Sequence, residues 1–127
     1  MEFHPQFFRC AHCGQVVSVL KDAGVSIVCC GEAMQRLTPN TTDAAQEKHV
    51  PVIARAGDKL TVKVGGTAHP MLAEHSIEWI YLHMSNGGQR RILKPGEAPE
   101  AAFCAQEGEA LEVYAYCNLH GLWVAAA

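Results

Sequence analysis

Nine side chains, in two groups, have the types and spacing to hold transition metals. Cys10-Ala11-His12-Cys13 is a C-x2-C knuckle, and the adjacent pair Cys29-Cys30 follows after fifteen residues. A C-x2-C turn aims two thiolates at one ion. A second pair brought up by a hairpin completes a tetrahedral S4 shell, which suits iron or zinc. Adjacent cysteines are unusual ligands, because neighbouring side chains of an extended strand point to opposite faces. The pair therefore requires a turn, which Gly31 would relax, and the tetrahedron should be distorted. On spacing alone iron and zinc stand level, and a structural zinc staple is the plain alternative.

The second group is His49, His69, His75, Cys117 and His120, the last two forming a C-x2-H pair. Imidazole suits iron, copper, nickel and zinc, and one thiolate adds a soft, electron-rich donor. Any one of these histidines alone would read as an ordinary core or surface residue of a sandwich. Five protein ligands exceed the tetrahedral shell of structural zinc. A five-ligand shell with one open position is a redox or oxygen-handling site. A blue-copper site would need two His, one Cys and a weak axial Met. No Met follows His120 and Met71 is a poor candidate, so copper ranks second.

Positioning these groups requires two kinds of element. A polar stretch at residues 39–46, Pro39-Asn40-Thr41-Thr42-Asp43-Ala44-Ala45-Gln46, reads as a linker. Residues 1–38 ahead of it hold four of the six cysteines and form a unit too short for a large core. Residues 47–127 read as strands. Val50–Ile53 is a short apolar run, Lys59–Val64 alternates strictly, and Ser76–Met84 reads as a buried strand. Gln89–Leu93, Ala102–Cys104 and Glu109–Tyr116 are further candidates, separated by turns at Gly65-Gly66, Asn86-Gly87-Gly88 and Pro95-Gly96. No stretch of ten or more residues carries a helical stripe. The expected class is mainly β, with an antiparallel sandwich after a small metal-bound unit.

Composition narrows the function. With 127 residues, 49% hydrophobic and 18% charged, the chain can fold around a core. A net charge of −3 offers no basic stripe for nucleic acid. No apolar run reaches the roughly 18 residues of a membrane span. The start, Met1-Glu2-Phe3-His4-Pro5, lacks a signal-peptide layout. Six cysteines in a cytoplasmic chain point to metal rather than disulfides.

Several motifs in order carry a resemblance over essentially the whole chain. They are C-x2-C-x15-CC from Cys10 to Cys30, Glu47-Lys48-His49-Val50-Pro51-Val52, His69-Pro70-Met71 with Glu74-His75, Trp79-Ile80, and Cys117-Asn118-Leu119-His120-Gly121-Leu122-Trp123. The chain resembles the desulfoferrodoxin family, the two-iron class of superoxide reductases. The resemblance implies a desulforedoxin-like FeS4 unit on Cys10, Cys13, Cys29 and Cys30. It also implies an immunoglobulin-like catalytic β-sandwich. There the iron takes equatorial nitrogens from His49, His69, His75 and His120 and an axial thiolate from Cys117, with the sixth position open. Two iron ions per chain follow, as do superoxide as substrate, hydrogen peroxide as product, a rubredoxin-like soluble electron donor and a homodimer.

Within that frame Lys48 guides superoxide and hydrogen-bonds, through water, to the reduced product. Glu47 closes the sixth position after turnover. Cys117 pushes electron density to the metal, moderated by backbone N–H groups near Leu119 and His120. Cys104 is expected to be a small buried hydrophobe. His4, His12 and His83 are not ligands. Trp79 and Trp123 are core residues that also shield the iron. The competing reading is a one-electron carrier of rubredoxin or desulforedoxin type, which needs neither an open position nor Lys48. The FeS4 centre has two possible roles, electron relay and structural staple.

Overall fold

A computed structural model describes residues 4–127. Met1–Phe3, the start of the expected N-terminal unit, lie outside them. The chain divides into two compact units, Met1–Thr38 and Pro39–Ala127.

The first unit is built from very short strands. These are β1 (Phe7–Arg9), β2 (Val16–Ser18), β3 (Val28–Cys29), β4 (Glu32–Ala33) and β5 (Gln35–Arg36). They form an antiparallel sheet in the order β2-β1-β5 and a β3-β4 hairpin. Among the described residues its buried hydrophobic side chains are Phe7, Cys10 and Met34, and three side chains cannot hold a domain by burial alone. The β3-β4 hairpin resolves the problem of adjacent cysteines. Its two-residue loop is Cys30-Gly31, with φ of 54° and 76°. Two successive left-handed residues make the tight reversal whose twist matches a hairpin. Cys29 thus ends a strand while Cys30 occupies the turn, and both thiols reach one point.

The second unit is a two-sheet sandwich. One sheet has the order β10-β7-β6 and the other β12-β11-β8-β9. The strands are β6 (Pro51–Ala56), β7 (Lys59–Val64), β8 (Ile77–Met84), β9 (Gly87–Ile92), β10 (Glu100–Cys104), β11 (Ala110–Cys117) and β12 (Gly121–Ala126). All pairings are antiparallel. Leu60, Val62 and Val64 from β7 meet Ile77, Ile80 and Leu82 from β8, with Phe103, Val113, Ala115 and Cys117 completing the core. The alternation of β7 sends Leu60, Val62 and Val64 inward and leaves Lys59 and Lys63 exposed. No described helix is long and apolar enough to cross a membrane.

Three features differ from the sequence reading. A single helical turn, α1 (Gln46–His49), follows the polar stretch and carries Glu47, Lys48 and His49; four residues are too few to show periodicity. Strand β12 went unforeseen because its first residues belong to the ligand-bearing motif. Cys104 is exposed, not buried. It follows Phe103, which fills the core, so strand alternation turns Cys104 outward.

Candidate metal centres

The five ligand candidates of the sandwich come together although they arise from four separate segments. One donor atom from each of His49, His69, His75, Cys117 and His120 lies within 4.8 Å of every other. His49 ends α1, Cys117 ends β11, and His120 sits in the turn before β12. The four imidazoles form a closed square. Neighbouring ring centroids are 4.6 Å apart for His49–His69, 4.7 Å for His69–His75, 5.0 Å for His75–His120 and 4.9 Å for His120–His49. Each neighbour is turned nearly perpendicular, by 78° to 86°. Such a ring places four nitrogens around one centre. Cys117 is fully buried beside it, with Sγ 3.9 Å from His120 Nδ1.

The hydrogen bonds of two of these rings suit a cation in that square. The Nδ1 of His49 donates to the Ala45 carbonyl at 2.7 Å, and the Nδ1 of His69 donates to the Pro70 carbonyl at 2.6 Å. A carbonyl only accepts, so each ring carries its proton on Nδ1 and a lone pair on Nε2. Those two Nε2 atoms nevertheless face each other at 3.1 Å. His49 Nε2 also lies 3.1 Å from His120 Nδ1. His75 Nε2 is buried with no hydrogen-bond partner. Two facing lone pairs with no proton between them, on His49 and His69, belong to a metal-ion donor set. Three Nε2 atoms, one Nδ1 and one thiolate fit iron, with its taste for mixed nitrogen and sulfur ligands.

Burial favours the neutral form of three of the rings. It lowers the pKa of His69 to about 4 and also lowers His49 and His75. Burial pushes the Cys117 thiol up, while the backbone N–H groups of His120 and Leu119 pull it down. The N–H groups expected to moderate this sulfur are therefore in place. Trp123 is buried and stacks on His49, centroids 4.9 Å apart and planes 29° apart. Its indole N–H donates to the His120 carbonyl at 3.1 Å. Trp79 instead stacks on Tyr116 at 5.5 Å. Trp123 thus covers one face of the square. The Met71 sulfur accepts the Ile77 N–H at 3.4 Å.

Glu47 and Lys48 are exposed on α1. The Lys48 ammonium depresses the pKa of both His49 and His75, so its field reaches the square. The backbone of this turn is pinned from outside. Thr67 N–H donates to the Glu47 carbonyl at 2.8 Å, and Gly65 lies so close that an added Cβ would sit 2.7 Å from that oxygen.

In the first unit, the Sγ atoms of Cys10, Cys13, Cys29 and Cys30 lie within 4.8 Å of one another. Cys13 and Cys29 sulfurs are 3.6 Å apart. A tetrahedron with metal–sulfur bonds of about 2.3 Å has edges of about 3.8 Å, so this spacing suits one metal. The Cys13 N–H, 3.5 Å from Cys10 Sγ, lowers the Cys10 pKa to about 6, helped by the His12 N–H. The neighbouring thiols act as donors to that thiolate, and Cys29 rises to about 12, chiefly through Cys13. His12 is no ligand; it pairs with Glu32 at 2.7 Å. The left-handed turn gives a test. Gly31→Val places a β-branched residue at φ 76°, at a cost of about 1–2 kcal/mol. The expected outcome is poorer metal loading of the four-cysteine centre with the His/Cys centre unchanged, read by metal content and visible absorption.

Comparison with known proteins agrees with this geometry. The desulfoferrodoxin family model matches residues 41–126, and the model of the desulfoferrodoxin N-terminal domain matches residues 4–37. A desulfoferrodoxin of Nitratidesulfovibrio vulgaris is 46% identical over 122 residues, covering 96% of each chain. A superoxide reductase of Pyrococcus horikoshii is 40% identical over 108 residues, covering 71% of this chain and 94% of its own. The crystal structure of the superoxide reductase from Treponema pallidum superposes with a TM-score of 0.80 at 37% identity, covering 97% of this chain and 99% of that one. With both parts matched in order, and each supplying a complete metal-binding group, the chain belongs to the desulfoferrodoxin family.

Proposed function

We infer that the chain is a superoxide reductase, and that it carries two iron ions, one in each centre. The observation that carries this reading is the square of four imidazoles closed by one buried cysteine sulfur. His49, His69, His75, His120 and Cys117 would hold a ferrous ion, which would supply the electron for O2•⁻ + e⁻ + 2H⁺ → H2O2. Cys10, Cys13, Cys29 and Cys30 hold the other ion.

The remaining residues prepare the approach. Lys48 is an exposed cation on the turn that delivers His49, and it draws the superoxide anion toward the square. Its ammonium then hydrogen-bonds, through water, to the departing peroxide. Glu47, beside it, would offer its carboxylate to the iron between turnovers. Trp123 keeps water off the inner face of His49. The Leu119 and His120 N–H groups take up part of the charge on the Cys117 sulfur and so temper its donation.

Family likeness supports the rest of the reading. Residues 1–38 form the FeS4 domain, 39–46 a linker and 47–127 the catalytic domain. A small soluble donor such as a rubredoxin returns the electron. The chain works as a homodimer in the cytoplasm.

Lys48→Ala slows the second-order reaction with superoxide about tenfold or more, the lower range for electrostatic steering, and leaves the resting spectrum intact. The measurement is pulse radiolysis at two salt concentrations. An unchanged rate removes Lys48 from the mechanism. The reading as a whole is tested by anaerobic metal analysis with visible spectra before and after mild oxidation. Iron in both centres, with a new thiolate-to-iron band on oxidation, supports it. Copper in the His/Cys centre, or no metal there after iron-replete expression, contradicts it.

A further inference from the structure

The square needs something to hold His75, because this histidine comes from a loop. His49 and His69 are oriented by ring hydrogen bonds to carbonyls. The ladder that could carry His75 gives out just before it. Pairing between β8 and β11 shifts register between Tyr116 and Cys117 and ends at Ile77. Asn118 continues the connection. Its Oδ1 accepts the Ser76 N–H at 3.0 Å, its Nδ2 donates to the Glu74 carbonyl at 2.9 Å, and its own N–H donates to the Ser76 carbonyl at 3.3 Å. These bonds grip the backbone on both sides of His75. Asn118 is also the residue after Cys117, in the turn whose N–H groups reach the Cys117 sulfur.

We propose that Asn118 is a positioning residue that locks the His75 loop to the Cys117–His120 turn, fixing equatorial and axial donors in one geometry. Only a side chain with a donor and an acceptor at this length makes both side-chain bonds, since residue 74 offers a carbonyl and residue 76 an N–H. A side chain that lacks them leaves the Ser76 N–H and the Glu74 carbonyl without those partners; His75 then keeps its backbone bonds to Leu72 but loses its tie to the Cys117–His120 turn. The proposal rests on the reading that these five residues hold iron.

The test compares the full-length iron-loaded protein with Asn118→Leu and Asn118→Asp. Asn118→Leu should shift the thiolate-to-iron band of the oxidised centre. It should also speed iron loss to a chelator about tenfold, the lower range for residues that support metal ligands. Absorption of the four-cysteine centre should stay unchanged, which a general loss of folding would not allow. Asn118→Asp keeps the acceptor for Ser76 but loses the donor to Glu74, and should fall between. A wild-type band and wild-type chelation rate in Asn118→Leu overturn the proposal. If that variant does not accumulate, Asn118→Asp decides: a shifted band supports the lock and an unshifted one overturns it. Absence of the band from the wild-type protein overturns the iron reading itself.

Discussion

Cys117→Ser abolishes the thiolate-to-iron band and lowers the superoxide rate by more than the roughly 10–100-fold that loss of a supporting residue costs a metal site. Serine is nearly isosteric with cysteine, so the fully buried position at the end of β11 keeps its packing. What changes is the donor. A hard hydroxyl replaces a soft thiolate that pushes electron density onto the metal. The backbone N–H groups of Leu119 and His120 stay in place to meet whichever atom stands there. Absorption of the four-cysteine centre serves as an internal control, because none of its ligands is touched. Survival of the band in this variant refutes the axial role of Cys117.

The second large effect comes from a residue that touches no metal. Gly65→Ala puts a Cβ 2.7 Å from the Glu47 carbonyl oxygen, 2.9 Å from that of Val50 and 3.1 Å from the Lys48 carbonyl carbon. All three are backbone atoms, so no flexible side chain can swing away. The turn carrying Glu47, Lys48 and His49 must shift instead. Its ties, the Thr67 N–H to Glu47 at 2.8 Å and the His49 ring to Ala45 at 2.7 Å, are broken or stretched. Overpacking of this kind costs about 1–3 kcal/mol, which lowers the melting temperature by several degrees at least. The expected signature is selective: iron is lost from the His/Cys centre and retained in the four-cysteine centre. Wild-type iron content and superoxide rate would show that the turn does not depend on close approach at Gly65.

These two cases mark what could be read from the sequence. Six of the nine donors were legible from the C-x2-C knuckle, the Cys29-Cys30 pair and the C-x2-H turn, while His49, His69 and His75 were singled out by the motifs of the family resemblance. Strict alternation located β7 at the residues it occupies, Lys59–Val64, and apolar content located β8 within one residue. Of the devices that position the donors, one was foreseen: adjacent cysteines require a turn, which Gly31 relaxes, although its left-handed geometry appears only in three dimensions. The others were hidden. Gly65 read as an ordinary turn residue, because the carbonyls it accommodates lie fifteen and more positions earlier in the chain. Asn118 passed unremarked between two ligands, since its partners at Glu74 and Ser76 are forty-odd residues away. Cys104 failed for a simpler reason. Its residue type favours burial, but the alternation set by Phe103 decides its side of the strand.

The central claim is that the His/Cys centre reduces superoxide without oxidising it. The measurement is anaerobic mixing of the ferrous protein with a known amount of superoxide, following peroxide, oxygen and the thiolate-to-iron band together. The account predicts one peroxide formed for each superoxide consumed, no oxygen released, and growth of the band in step with peroxide. Half that yield of peroxide with matching release of oxygen would make the protein a dismutase and contradict the account. So would consumption of superoxide with no band at all.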